Sequence, residues 1–105
     1  MDGDHLLAAL RAWGLGLPGA HFKAPWPGHD DLAVNDKTFA YLSPAGEPLS
    51  VSFKLPYTGA VVLERVDASP TGYGLGRSGW VTITPGEGVL PSLDQLKEWA
   101  EESYR

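Results

Sequence analysis

The chemistry-bearing residues of this 105-residue chain are glycine-rich loops, histidines beside carboxylates, and cations beside aromatics. Gly14-Leu15-Gly16-Leu17-Pro18-Gly19 and Gly74-Leu75-Gly76-Arg77-Ser78-Gly79 both fit the G-x-G-x-x-G spacing that lets backbone approach a dinucleotide pyrophosphate. That use needs a strand before the glycines and a helix after them, so that helix-terminal N–H groups meet the phosphates. The first run leaves a helical pattern and enters a proline-rich loop; the second precedes a strand. Both are therefore expected to be connections. Arg77, inside the second, can still meet an anion with backbone amides beside it.

His29-Asp30-Asp31 is the densest set of metal-ligating types, with His5 and His21 apart from it. Adjacent side chains on an extended segment point to opposite faces, so a solvated loop is expected there and no metal site. The chain has no cysteine, which excludes disulfides, thiolate metal centres and thiol nucleophiles. No G-x-S-x-G elbow is present. Neither enzymatic activity nor a cofactor is expected.

Basic residues next to aromatics remain: Phe22-Lys23 with Trp26, Lys37 with Phe39 and Tyr41, Phe53-Lys54 with Tyr57, and Arg77 with Trp80. Stacking combined with phosphate contact is how many single-strand binders work. Phe53, Phe39 and Trp80 are expected in the core; Tyr41, Tyr57 and Trp26 are left open. Lys37, Lys54 and Arg77 can form a modest basic strip on an exposed sheet face, although such cations commonly serve only solubility. Charge weighs against strong duplex binding, since the chain carries 8 Lys+Arg against 13 Asp+Glu, a net −5. The acids concentrate at the two ends. Residues 37–84 hold only Glu47, Glu64 and Asp67, against Lys37, Lys54, Arg65 and Arg77, so an anion-binding surface belongs in the middle of the chain.

These residues must be positioned by elements whose periods are readable. Leu6, Leu7, Leu10 and Trp13 recur at helical spacing over residues 4–13, with Asp2 or Asp4 as cap and Gly14 as a left-handed stop. A short strand around Ala20–Lys23 is the most the following loop offers. Leu32–Val34 and Lys37–Leu42 flank the turn Asn35-Asp36. Leu49–Leu55 alternates strictly, placing Leu49, Val51, Phe53 and Leu55 on one face and Ser50, Ser52 and Lys54 on the other. Residues 57–66 suit either a strand or a short helix capped by Thr58, Asp67–Gly79 reads as a loop, and Trp80–Thr84 as a strand. Ser92 with Gln95 forms a capping box before a stripe of Leu93, Leu96, Trp99, Ala100 and Tyr104.

Helices gathered on one antiparallel sheet make an α+β fold, with the N- and C-terminal helices on one face. The length suits a single domain over residues 1–105, and no apolar run is long enough to span a membrane. With an acidic rather than basic N-terminus, a cytoplasmic protein is expected, as a monomer or weak dimer.

The ordered set Leu17-Pro18-Gly19-Ala20, Pro25-Trp26, Lys37-x-Phe39-Ala40, Leu49-x-Val51-x-Phe53-Lys54-Leu55-Pro56, Gly79-Trp80-Val81 and Glu102-Ser103-Tyr104-Arg105 resembles the MmcQ/YjbR family. The resemblance implies a fold similar to bacterial frataxin (CyaY-like), tips residues 57–66 toward helix, and carries the family's "double wing" DNA-binding label. It implies a small non-catalytic domain that binds nucleic acid weakly through its exposed sheet face and wing loops, with Lys37, Lys54 and Arg77 on phosphates and Tyr41 or Tyr57 stacking. The alternatives are a protein-interaction or regulatory module, whose partner is a protein rather than DNA, and a frataxin-like metal role using His29, Asp30 and Asp31.

Overall fold

A computed structural model describes residues 2–105. Helix α1 (Gly3–Gly14) starts where the Asp2 carboxylate accepts the His5 N–H at 2.9 Å, and it buries Leu6, Leu7 and Leu10. Strands β1 (Ala20–Lys23), β2 (Asp31–Val34), β3 (Lys37–Leu42) and β4 (Val51–Lys54) follow as an antiparallel meander. A single-turn helix α2 (Gly59–Val62), strand β5 (Ala68–Pro70), a 3-10 turn over Leu75–Ser78 and strand β6 (Trp80–Ile83) lead to helix α3 (Leu93–Tyr104). The sheet order is β1-β2-β3-β4-β6-β5, antiparallel throughout.

The sheet has two unlike faces because β4 alternates as its residues require. Val51 and Phe53 point with Leu42, Ala40, Val81 and Ile83 into a core closed by α1 and α3. Leu10, Leu32, Phe53, Ile83 and Leu96 have no exposed surface at all, each contributing about 1.5–3 kcal/mol on burial. Phe53 meets the Trp99 ring at 6.2 Å. Ser92 caps α3 by accepting the Gln95 N–H, and the apolar stripe of that helix buries Leu96, Trp99 and Ala100.

Register in β3 is set at both ends. Asn35 and Asp36 both adopt positive φ (52° and 61°), the hairpin turn whose twist matches the strands. Further along, Leu32 pairs with Ala40 but Ala33 pairs with Thr38, which leaves Phe39 as an extra residue in a bulge. Phe39 and Ala40 therefore both sit in the core, and Tyr41 emerges on the opposite face. The Leu42 N–H is satisfied by the carboxylate of buried Asp31 at 2.8 Å.

Several expectations need correction. Gly14 does not end α1 in a left-handed conformation; Leu15 caps the helix in ordinary helical geometry. Gly14 is required for close approach, since a Cβ there would lie 2.5 Å from Leu32 Cδ1. Thr58 does not cap α2 with its side chain; its hydroxyl donates to Glu102 Oε1 at 2.7 Å. Strand β4 is shorter than Leu49–Leu55, because the Ser43 hydroxyl takes the Ser50 N–H and the chain turns beyond it. The segment read as one loop, Asp67–Gly79, contains β5 and the 3-10 turn. Three residues ending in proline carry no period to detect.

Candidate nucleic-acid interface

The face opposite the helices carries the polar alternates of the central strands. Ser52 pairs with Thr82 and with Tyr41, and Lys54 pairs with Trp80. Hydroxyls bond across the strands in a chain: Ser52 to Thr82 at 2.7 Å, and Thr82 to Thr71 at 2.8 Å. Ser50 and Thr84 form a separate pair at 3.0 Å. An aromatic row crosses these hydroxyls. His29 and Trp26 are 5.4 Å apart, Trp26 and Tyr41 6.3 Å, and Tyr41 and Trp80 5.2 Å. Trp80 is buried beneath the row, Tyr41 is half-buried, and Trp26 is 53% exposed.

Two depressions flank the Tyr41–Ser52 rung. One, about 370 Å³, is lined by Trp26, Tyr41, Ser52, Thr71, Tyr73 and Leu75. The other, about 270 Å³, lies toward His29, Pro44 and Glu47 and shares Trp26, Tyr41 and Ser52 with the first. A third recess of about 350 Å³ opens where β3 begins and β4 ends, lined by Asn35, Lys37, Thr38, Lys54, Trp80, the α3 residues Ser103 and Tyr104, and Arg105. The Ser103 hydroxyl builds this corner: it donates to the Phe39 carbonyl and accepts the Lys54 N–H at 2.8 Å. Among the described residues no carboxylate side chain lines this recess. Arg105, which lines it, pairs with Glu101 at 2.6 Å, and Asp36 sits in the turn between the lining residues Asn35 and Lys37.

The five residues singled out from sequence are thus distributed unevenly. Lys37 and Lys54 line one recess, and Tyr41 lies next to it across the Trp80 ring. Arg77 is exposed on the 3-10 turn, two residues beyond Leu75 of the groove wall, and lines neither space. Tyr57 is elsewhere: it is 88% exposed and borders a recess with Glu98, Glu101 and Glu102, while its N–H donates to Glu102 Oε2 at 3.0 Å. Sequence reasoning passed over Arg105 and Tyr73 and left Trp26 open; the exposed-face parity of Ser50, Ser52 and Lys54 marked the floor, but not which loops rise over it.

His29 and Asp31 form the other titratable set. The Asp31 side chain has no exposed surface, and His29 Nδ1 stands 3.8 Å from its Oδ1. Burial raises the Asp31 carboxyl above its usual range; the Leu42 N–H, His29 and Arg11 pull the other way without cancelling it. Arg11 donates to the carbonyls of Asp30 and Ser43, clamping the two loops together. Among the described residues, no group of three or more His, Asp or Glu side chains is placed to hold a metal ion. No helix among them is long and apolar enough to cross a membrane.

Comparison with solved structures gives the same architecture. A crystal structure of protein DR2400 from Deinococcus radiodurans, with a DUF419 domain, superposes with a TM-score of 0.73 at 25% identity, covering 92% of this chain and 74% of that one. A crystal structure of a protein from Pseudomonas syringae superposes with a TM-score of 0.66 at 18% identity, covering 92% of this chain and 94% of its own. No curated protein matches the sequence. The family model for YjbR matches residues 15–105, from the end of α1 through the whole sheet to the last residue of α3 and beyond, and the chain belongs to the YjbR family.

Proposed function

We propose that the domain is a weak, non-catalytic nucleic-acid binder that holds phosphates at the Lys37–Lys54 recess and lays the strand over the open sheet face. The observation that carries this reading is the recess itself. In a chain of net charge −5, two lysines line a concavity with no lining carboxylate side chain among the described residues, beside an aromatic row. Lysine ammonium groups supply the sequence-independent phosphate contacts, and Arg77 on the adjacent loop adds a third as the strand leaves the groove. Two or three contacts account for weak binding, in keeping with the acidity of the rest of the surface.

The test is a titration of labelled oligonucleotide against salt. Three phosphate contacts give a slope of log affinity on log salt of about −2 for a single strand, or about −3 for a duplex. Lys37→Ala with Lys54→Ala should flatten it by more than half. An absence of binding at about 50 mM salt, where such contacts are strongest, would rule the reading out.

A protein partner is the second reading, and a different surface favours it. Val61, Val66 and Tyr57 are exposed in and around α2, and Tyr57 borders a recess with Glu98, Glu101, Glu102 and Arg105. Exposed apolar side chains and a mostly acidic recess suit a partner presenting apolar and basic side chains. A Val61→Glu, Val66→Glu variant that folds but leaves salt-dependent nucleic-acid binding intact would separate the two surfaces.

A further inference from the structure

We infer that the groove between Trp26, Tyr41 and Tyr73 is a pocket for one unpaired base, so that the ligand of this face is single-stranded; this rests on the nucleic-acid reading above. Trp26 is half exposed and Tyr73 fully exposed, yet both border the same depression of about 370 Å³ with Tyr41 and Leu75. Large aromatics left uncovered around one concavity offer flat apolar surface of the kind on which every base can stack. A duplex keeps its bases paired and stacked inside, and presents no free ring to such a slot.

The floor supplies the complementary polar chemistry. Ser52, Thr82 and Thr71 hold three hydroxyl protons and make two hydrogen bonds among themselves. With Thr82 donating to one of its neighbours the third proton stays on a terminal hydroxyl, Ser52 or Thr71, and both of these line the groove with free lone pairs. A base edge carries a donor next to an acceptor, which this chain can meet from a fixed position.

Charge complementarity selects a nucleotide over an uncharged ring. Ser52 and Lys54 share the open face of β4 two residues apart, a separation of roughly 6.5–7 Å along the strand. That is about the reach from a base to its own backbone phosphate, so a base seated over Ser52 places its phosphate toward Lys54 and its recess. Tyr73 has φ of +58° and is followed by Gly74 at +79°; this left-handed pair turns the loop back over the sheet at the groove.

The experiment measures binding of three labelled probes to the full chain by fluorescence anisotropy at low salt: a deoxythymidine oligonucleotide, an abasic strand with the same number of phosphates, and a duplex of equal length. The expected order is thymidine strand tightest, with the abasic strand weaker by about 5- to 150-fold, the range for losing a stacked base. Trp26→Ala with Tyr73→Ala, both surface changes, should remove that difference while leaving the salt slope unchanged. Equal affinity for thymidine and abasic strands, or tighter duplex binding, overturns the base pocket and leaves the phosphate recess standing. No binding of any probe to the native chain removes the nucleic-acid reading, and the pocket with it. Circular dichroism of the double variant checks its fold, and Tyr73→Ala alone serves if Trp26→Ala unfolds it.

Discussion

Replacing Gly14 by alanine tests the packing that holds α1 on the sheet. An added Cβ would stand 2.5 Å from Leu32 Cδ1, 3.1 Å from Cδ2 and 3.4 Å from Cγ. Carbon atoms in contact prefer about 3.5–4.0 Å, so the overlap is close to 1 Å at the nearest atom. Leu32 has no exposed surface and cannot swing into solvent to make room. Overfilling a packed core costs about 1–3 kcal/mol, while alanine returns at most about 1 kcal/mol of helix propensity, and less at the last helical residue. The net expectation is a loss of about 1–2 kcal/mol, lowering the thermal midpoint by roughly 4–16 °C in a domain of this size. Gly3→Ala is the matched control: its Cβ would meet Leu49 Cβ at 3.5 Å, ordinary contact, so it should be neutral or slightly stabilising. Urea and thermal unfolding followed by circular dichroism measure both. A Gly14→Ala variant as stable as the native chain would refute the close-approach explanation, most plainly if Gly3→Ala behaves as expected.

Two further outcomes follow from buried Asp31 and half-buried Ser103. Burial raises the Asp31 carboxyl above its usual 3.8; that contribution to stability is full below this value and is lost as pH climbs through the raised one. Asp31→Asn keeps an oxygen for the Leu42 N–H and removes the titration, so its stability relative to the native chain should improve as pH rises above about 4. A relative stability that stays flat or falls over that range, measured by urea unfolding, contradicts the assignment. Ser103→Ala strips the partner from both the Lys54 N–H and the Phe39 carbonyl and should cost about 1–3 kcal/mol. A loss below about 0.5 kcal/mol in the same assay would show that these groups find other partners.

What could be read from the sequence depended on how many residues shared one period. The β4 alternation is uninterrupted, so its two faces, the burial of Phe53 and the outward position of Lys54 follow from order alone. The α3 stripe and its Ser92 cap are equally plain. Phe39 and Tyr41 are different: strict alternation puts them on one face, and the bulge places them on opposite ones. Sequence has no mark for that extra residue. Long-range closures were hidden for another reason. The Ser103 bonds to β3 and β4 join positions 64 and 49 residues apart. Tyr57 looked equivalent to Tyr41 because each follows a lysine; the turn at Pro56 carries it to the acids of α3. The basic recess was half legible, through the two lysines, and its third cation sits at the last residue of the chain.

The bulge at Phe39 makes the two sides of the sheet independent for one change in chain length. Removing Phe39 would leave Thr38 opposite Ala33, Ala40 opposite Leu32 and Tyr41 opposite Ser52 in one unbroken ladder, so the aromatic row would keep its face and only the interior would lose a ring. The strand can shorten by one residue at this point, with the damage confined to a core cavity.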